Sequence, residues 1–152
     1  MRRLFFLLAC VLPLMAAACG SDSPTGIEDT TFAPALGVDL STMTRTSTGL
    51  YYRDITVGTG AVAQNGRTVG VYYQGWLPSG TRFDFQTSGP PYDFVLGTGN
   101  VIRGWHQGIA GMRVGGKRQL VIPPSLGYGA EGSGPIPPNA VMVFEVEVRT
   151  VR

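Results

Sequence analysis

The 152-residue sequence predicts an α+β domain, a mostly antiparallel sheet with one short helix across its concave face. Three observations carry this prediction. Apolar residues recur with a period of two in several short segments. The 22 Gly and 11 Pro punctuate those segments at close intervals, and a single stretch has helical spacing. Strands that follow one another through turns, with one helix between them, pair antiparallel.

At the N-terminus Arg2 and Arg3 precede an apolar run of 16 residues, Leu4 to Cys19. A bilayer-spanning helix needs about 20, so residues 1–18 are expected to be a signal peptide. The run ends Met15-Ala16-Ala17-Ala18-Cys19, which resembles the bacterial lipobox, although Ala16 stands where Leu is preferred. The expectation is cleavage before Cys19 and a lipid on its sulfur. The protein is then anchored through that lipid on the periplasmic side of the bacterial cell envelope. Gly20, rather than Asp, at the next position favours the outer membrane. The alternative is ordinary A-x-A cleavage after Ala18 and secretion. Cys10 leaves with the signal, so Cys19 keeps no disulfide partner. Lipidation removes a thiol that an oxidising compartment would attack.

Residues 19–48 form the next unit. Between Gly20 and Thr48, 11 of 29 residues are Ser or Thr, and Pro24, Gly26, Pro34 and Gly37 break any periodicity. The expectation is an extended, mobile tether, with Phe32, Leu36, Val38 and Leu40 as candidates to dock on the domain. Segment 19–42 carries −4 and segment 43–152 carries +4. The cations are scattered apart from Arg113, Lys117 and Arg118, expected on a solvated hairpin. Three charges cannot support a phosphate track, so nucleic acid is not an expected partner.

The rest of the chain, residues 49–152, has a different rhythm and reads mostly as strands. Leu50–Val57 closes on Gly58-Thr59-Gly60, and Thr68–Leu77 follows with Val69, Val71 and Tyr73 on one face. Arg82–Phe85 and Tyr92–Leu96 flank the turn Ser88-Gly89-Pro90-Pro91. In the last strand Met142, Phe144, Val146 and Val148 alternate with Val143, Glu145, Glu147 and Arg149, charges outward. The helix is expected over Val101–Met112, N-capped by Asn100, with Ile102, Trp105, Ile109 and Met112 on its apolar face. Gly104, Gly108 and Gly111 cost it about 1 kcal/mol each relative to Ala, so packing must hold it.

Several chemistries are excluded. Gly111 to Lys117 matches G-x-x-x-x-G-K, but Arg118 stands where a P-loop needs Ser or Thr. The order is also reversed, helix before and strand after. Gly97-Thr98-Gly99 lacks the third glycine of a dinucleotide fingerprint. His106, the single imidazole, lies about 100° of helix from Trp105 and is expected at the surface. No G-x-S-x-G elbow exists to pair with it, and with one His and two Cys neither a metal site nor a cofactor is expected.

What remains is a set of aromatic motifs near Pro and Gly turns. Val71-Tyr72-Tyr73-Gln74-Gly75-Trp76-Leu77, Gly80-Thr81-Arg82-Phe83-Asp84 and Phe94-Val95-Leu96-Gly97 come first. Val101-Ile102-Arg103-Gly104-Trp105, Tyr128-Gly129-Ala130, Ile136-Pro137-Pro138-Asn139-Ala140 and Val143-Phe144-Glu145-Val146 follow. Together, over Gly49 to Arg152, they resemble the FKBP-type peptidyl-prolyl cis–trans isomerases. The resemblance implies a curved antiparallel sheet of five or six strands wrapped around one short helix. It implies a pocket with Trp105 as floor and Tyr73, Phe83, Phe94, Val101, Ile102 and Phe144 as walls. Tyr92 would stand at the rim, Ile136 would help bind substrate, and Asp84 would point a carboxylate across. The Ile102 N–H and Tyr128 hydroxyl would bond carbonyls beside the bound proline. Tyr73, Asp84, Trp105 and Tyr128 are the implied catalytic set. Implied partners are proline-containing polypeptides and macrolide inhibitors of the class, with the protein a monomer.

Three features depart from the family pattern. Phe85 replaces a small residue after the Asp, and Phe85–Pro91 lacks a cation, leaving Tyr73 or Arg82 to orient Asp84. The loop Glu131–Ile136 is one residue short of the compact eukaryotic form. A rival reading keeps the same groove as a non-catalytic proline-peptide binding module or chaperone.

Overall fold

In the computed structural model the chain is described over residues 26–152; the expected signal peptide and Cys19 lie outside them. Seven strands form one antiparallel sheet: β1 (Thr44–Arg45), β2 (Tyr51–Thr56), β3 (Thr68–Trp76), β4 (Arg82–Gln86), β5 (Tyr92–Val95), β6 (Lys117–Ile122) and β7 (Met142–Val151). Their order is β1-β2-β6-β7-β3-β4, and β5 also pairs with β3. Nine residues long, β3 pairs with β4 over 73–76 and with β5 over 68–71, while β7 takes its other edge. The fold is therefore the expected α+β sheet around one helix, with β1 adding a strand from within the predicted tether.

Alternation along the central strands builds two cores. From β3, β6 and β7, Val69, Val71, Leu120, Ile122, Met142, Phe144, Val146 and Val148 point to the concave side. There they bury Trp105 and Ile109 of α1 (Arg103–Ile109) together with Met112. Gly104 and Gly108 let the helix lie directly on β6. A Cβ at these positions would stand 2.6 Å from the Ile122 side chain and 2.7 Å from that of Leu120. The helix is shorter than predicted at both ends. Ile102, with extended φ and ψ and no side-chain cap, occupies the N-cap in place of Asn100. At the other end Ala110 leaves helical geometry and Gly111 turns at φ +81°, so Met112 is buried without being helical.

The convex face is not solvated. Tyr51, Val121, Val141 and Val143 are buried there beneath Ile27 and Met43, with Phe32, Leu36, Val38 and Leu40 packed alongside. Residues 26–48, expected as a mobile tether, thus form a strap of three short 3₁₀ turns, Ile27–Asp29, Pro34–Leu36 and Leu40–Thr42, followed by β1. Polar contacts fasten it. Gln119 of β6 is only 2% exposed. Its amide donates to the Leu36 carbonyl at 2.7 Å, and its oxygen accepts from Arg53 at 3.0 Å. Arg53 also donates to the Gly37 carbonyl at 3.1 Å, and the Tyr51 hydroxyl to Glu28 at 2.7 Å. Without the strap, a buried amide and four apolar side chains would face water.

Within the basic cluster Arg118 is built into the sheet, Lys117 is half-buried and Arg113 stays exposed. Arg118 makes a bidentate pair with Asp54 of β2 at 2.7 and 3.0 Å and donates to the Gly108 carbonyl at 3.0 Å. Its guanidinium lies 4.5 Å from the Tyr52 ring centre. Lys117 pairs with Glu145 at 3.0 Å, and Arg113 donates to the Gly60 carbonyl at 3.1 Å. No helix among the described residues is long and apolar enough to cross a membrane.

Candidate active site

Where β3 and β4 diverge from α1, the concave side opens into a cavity of about 180 Å³. An apolar cavity of about 150 Å³ holds a six-membered ring, so this one has room for a prolyl ring. Its lining comprises Tyr73, Phe83, Asp84, Tyr92, Asn100, Val101, Ile102, Trp105, Tyr128 and Phe144. Each comes from an element already placed, or from the loops before α1 and after the 3₁₀ turn Pro124–Leu126.

Trp105 is buried at the centre, and four rings surround it. Tyr73 lies 4.9 Å away at 75°, Phe144 5.5 Å at 84° and Tyr92 6.2 Å at 82°, all edge-to-face, with Phe94 tilted at 5.7 Å. Edge-to-face contact aims the electropositive ring edges at the π-face of a neighbour and fixes orientation beyond what area burial does. Phe83 extends the wall through Phe144 at 5.5 Å. Gly75 makes that wall possible. It lies opposite Asp84 in the β3–β4 register, and a Cβ there would fall 2.6 Å from the Phe144 ring and 2.8 Å from Phe83.

Asp84 is oriented by Tyr73, not Arg82. Its Oδ2 accepts from the Tyr73 hydroxyl at 2.8 Å, and its Oδ1 accepts from the Phe85 N–H at 2.8 Å. Arg82 instead donates to Gln74 at 3.0 Å and lies 4.2 Å above the Phe85 ring, which stays half-exposed. Burial, then the bond to Asp84 and its negative charge, push the Tyr73 hydroxyl well above the usual tyrosine range. Burial and the charge of Asp84 raise Tyr128 also. Both hydroxyls are therefore held protonated as donors.

Of the sequence-derived site residues, the structure brings Tyr73, Phe83, Asp84, Tyr92, Val101, Ile102, Trp105, Tyr128 and Phe144 together around one cavity. Phe94 and Ile136 are not among its lining; both are buried core residues. Phe94 supports the floor from behind, stacked on Tyr92 at 6.3 Å. Asn100 lines the cavity and was missed, because its place in the sequence suggested a helix cap. His106 is also not the free surface residue expected. Its Nδ1 accepts from the Gly97 N–H at 2.9 Å, and its Nε2 is buried. The chain folds the 97–102 loop back over the helix, which the helical angle alone does not reveal. No group of three or more His, Cys, Asp or Glu able to hold a metal occurs among the described residues.

A ring-lined cavity with hydroxyl and carboxylate at its edge, on an antiparallel sheet around a short helix, has the chemistry to receive an apolar ring flanked by polar peptide groups. Comparison with known proteins agrees. The family model for FKBP-type peptidyl-prolyl cis–trans isomerases matches residues 60–149. An FK506-binding protein of Neisseria meningitidis serogroup B is 47% identical over 105 residues, covering 68% of this chain and 96% of that protein. A 46 kDa FK506-binding nuclear protein of Spodoptera frugiperda is 50% identical over 106 residues, but the match spans only 26% of its length. Among solved structures, FkpA from Escherichia coli superposes with a TM-score of 0.68 at 42% identity, covering 73% of this chain and 52% of that one. This chain belongs to the FKBP-type peptidyl-prolyl cis–trans isomerase family.

Proposed function

We propose that this protein accelerates cis–trans isomerisation of X-Pro bonds in polypeptides folding at the bacterial cell envelope. The observation that carries the reading is the box of Tyr73, Tyr92 and Phe144 around Trp105, with the Tyr73–Asp84 pair at its edge. An amide resists rotation by about 18–20 kcal/mol because resonance places charge on oxygen and double-bond character in C–N. The twisted transition state is less dipolar than the planar ground state. A water-poor aromatic cavity favours the twisted form without any bond being made, which is differential binding. Lowering the barrier by about 5 kcal/mol brings turnover from ~0.02 to on the order of 100 per second. In this reading Trp105 is the floor against which the prolyl ring sits. The hydroxyl of Tyr128 and the N–H of Ile102 hold the flanking carbonyls, and Asp84 fixes Tyr73 while placing negative charge at the edge.

No His, Cys, Ser or Lys is among the residues lining the cavity, and its hydroxyls and carboxylate serve as hydrogen-bonding groups, so rotation alone is the chemistry this reading requires. Cys19 is the proposed lipid attachment point, holding the domain on the periplasmic side of an envelope membrane, outer rather than inner. A macrolide that mimics a twisted prolyl amide is proposed to compete for the same cavity. The test is a protease-coupled isomerase assay on a Leu-Pro peptide, run beside a proline-limited refolding assay. Catalysis in both, abolished by saturating macrolide, is expected. Suppression of aggregation without isomerase activity would overturn the enzymatic reading in favour of a binding module. Fatty-acid labelling that is equal in the parent and Cys19→Ser would overturn the anchor.

A further inference from the structure

We infer that His106 is a positioning residue: its neutral imidazole fastens the 97–102 loop to α1 and thereby fixes the wall of the cavity. The inference rests on the reading of that cavity as the prolyl site. His106 itself does not line the cavity, and it follows Trp105, which does. The two neighbouring side chains leave the helix in different directions, one forming the floor and the other reaching the loop.

The geometry defines the bond. Gly97 opens the loop after β5 and Leu96 with φ +89°, a conformation that favours glycine, and a Cβ there would lie 3.2 Å from Asn65. In that conformation its N–H donates to His106 Nδ1 at 2.9 Å. A neutral imidazole carries one donor and one acceptor. With Nδ1 accepting, the proton must reside on Nε2, which is buried and has no partner among the described residues. A buried donor left unsatisfied is costly, and here it accompanies the bond formed by the other nitrogen. The Phe94 ring, edge-on at 6.1 Å, holds the imidazole in place. The same Phe94 touches Trp105, so floor and fastener share one support.

The Ile102 carbonyl accepts from the Trp105 and His106 N–H groups at 3.0 and 3.4 Å, which joins the loop's last residue to the first turn of the helix, and the other hydrogen bonds of the loop are local. Thr98 bonds the Val95 carbonyl through its N–H at 3.3 Å and its hydroxyl at 3.1 Å, and the Asn100 N–H bonds Thr98 at 2.8 Å. Among the described residues, the Gly97–His106 bond is the one that ties residues 97–101 to the helix. Asn100, Val101 and Ile102 at the far end of this loop line the cavity. Releasing the fastener frees that wall to move while the rings around Trp105 stay packed. Substrate affinity then falls more than turnover.

The experiment uses the full chain in detergent micelles, with His106→Leu and His106→Asn. Leucine fills the ring volume but cannot accept a hydrogen bond. Asparagine places an amide oxygen near the Nδ1 position. Imidazole ¹⁵N shifts of the parent should show the Nε2–H form, and the Gly97 amide should be protected from exchange. In His106→Leu, Gly97 exchange should accelerate about tenfold and KM for a Leu-Pro peptide should rise about three- to tenfold, with kcat within about twofold. His106→Asn should restore both to within about twofold of the parent. An Nδ1–H tautomer in the parent, or a Leu variant with unchanged Gly97 exchange or unchanged KM, would overturn the inference. If the Leu variant does not fold, the parent's tautomer and Gly97 protection decide. A parent with the expected tautomer and protection but no isomerase activity would leave the fastener standing and remove the prolyl-site reading.

Discussion

Ile27 is the sharpest test of whether the strap belongs to the folded domain. Its side chain is 3% exposed, packed in the convex cluster with Tyr51, Val121 and Val143. Truncating a fully buried isoleucine to alanine removes its transfer free energy and leaves a cavity, together about 2–5 kcal/mol. A strap of short turns can settle around the void, which puts Ile27→Ala near the low end, about 2–3 kcal/mol. For a domain of this size ~1 kcal/mol shifts Tm by about 4 °C, so the melt should fall by about 8–12 °C. Ile27→Asp buries a charge and should release the strap outright, exposing Val121, Val143 and the Gln119 amide. Thermal denaturation by circular dichroism, a dye sensitive to exposed apolar surface and kcat/KM on a Leu-Pro peptide are the readouts. The cavity lies on the opposite side of the sheet, so kcat/KM should stay within about twofold. Melts within ~2 °C of the parent in both variants would refute the packing argument. A tenfold loss of kcat/KM with an intact fold would refute the separation of the two faces.

Three further outcomes are expected. Tyr73→Phe keeps the ring against Trp105 but deletes the donor to Asp84; because that pair is solvent-accessible, kcat/KM should drop about three- to tenfold with little change in Tm, which a pair of melts and rate assays will read. Gly75→Ala drives a Cβ into the Phe144 and Phe83 rings and should cost about 1–3 kcal/mol while raising KM, and a variant with parental KM and Tm would contradict the wall geometry. The folded-state values of Tyr73 and Tyr128 are raised, so their contribution to stability is complete below the unfolded tyrosine value of about 10 and declines as pH rises from there through the folded values. Tm should therefore begin to fall above about pH 10 while kcat/KM of the folded protein shows no tyrosine-linked loss between about pH 8 and 10; a rate midpoint inside that interval would contradict protonated donors.

The concave core was legible in the sequence because its signal is local. Alternation of Met142, Phe144, Val146 and Val148 with polar neighbours needs no distant partner to be read, and the same holds for Val69, Val71 and Tyr73. The strap was legible only in its docking candidates, Phe32, Leu36, Val38 and Leu40, because what orders it lies far along the chain. Leu36 meets Gln119 across 83 positions, and the sparse apolar residues of 26–43 do not say which face of the sheet they cover. Val143 was placed outward correctly, but outward turned out to mean beneath the strap. The helix was read too long for a related reason. Apolar spacing continues through Met112, which is buried, while the backbone has already left the helix at Ala110. His106 shows the limit of a helical wheel: it gives a direction of departure, not the loop that returns to meet it.

The strap also sets an order of events. Its apolar residues, 27–43, precede every strand they cover, and that surface belongs to β2, β6 and β7, of which β7 is the last strand among the described residues. Contacts of such long separation form late, because loop closure must precede them. A chain emerging N-terminus first therefore carries Ile27, Phe32 and Leu36 incompletely covered until residues 142–151 have joined the sheet. During that interval the strap, made before the strands it covers, is the last to find its place, and its docking reports that β7 has arrived.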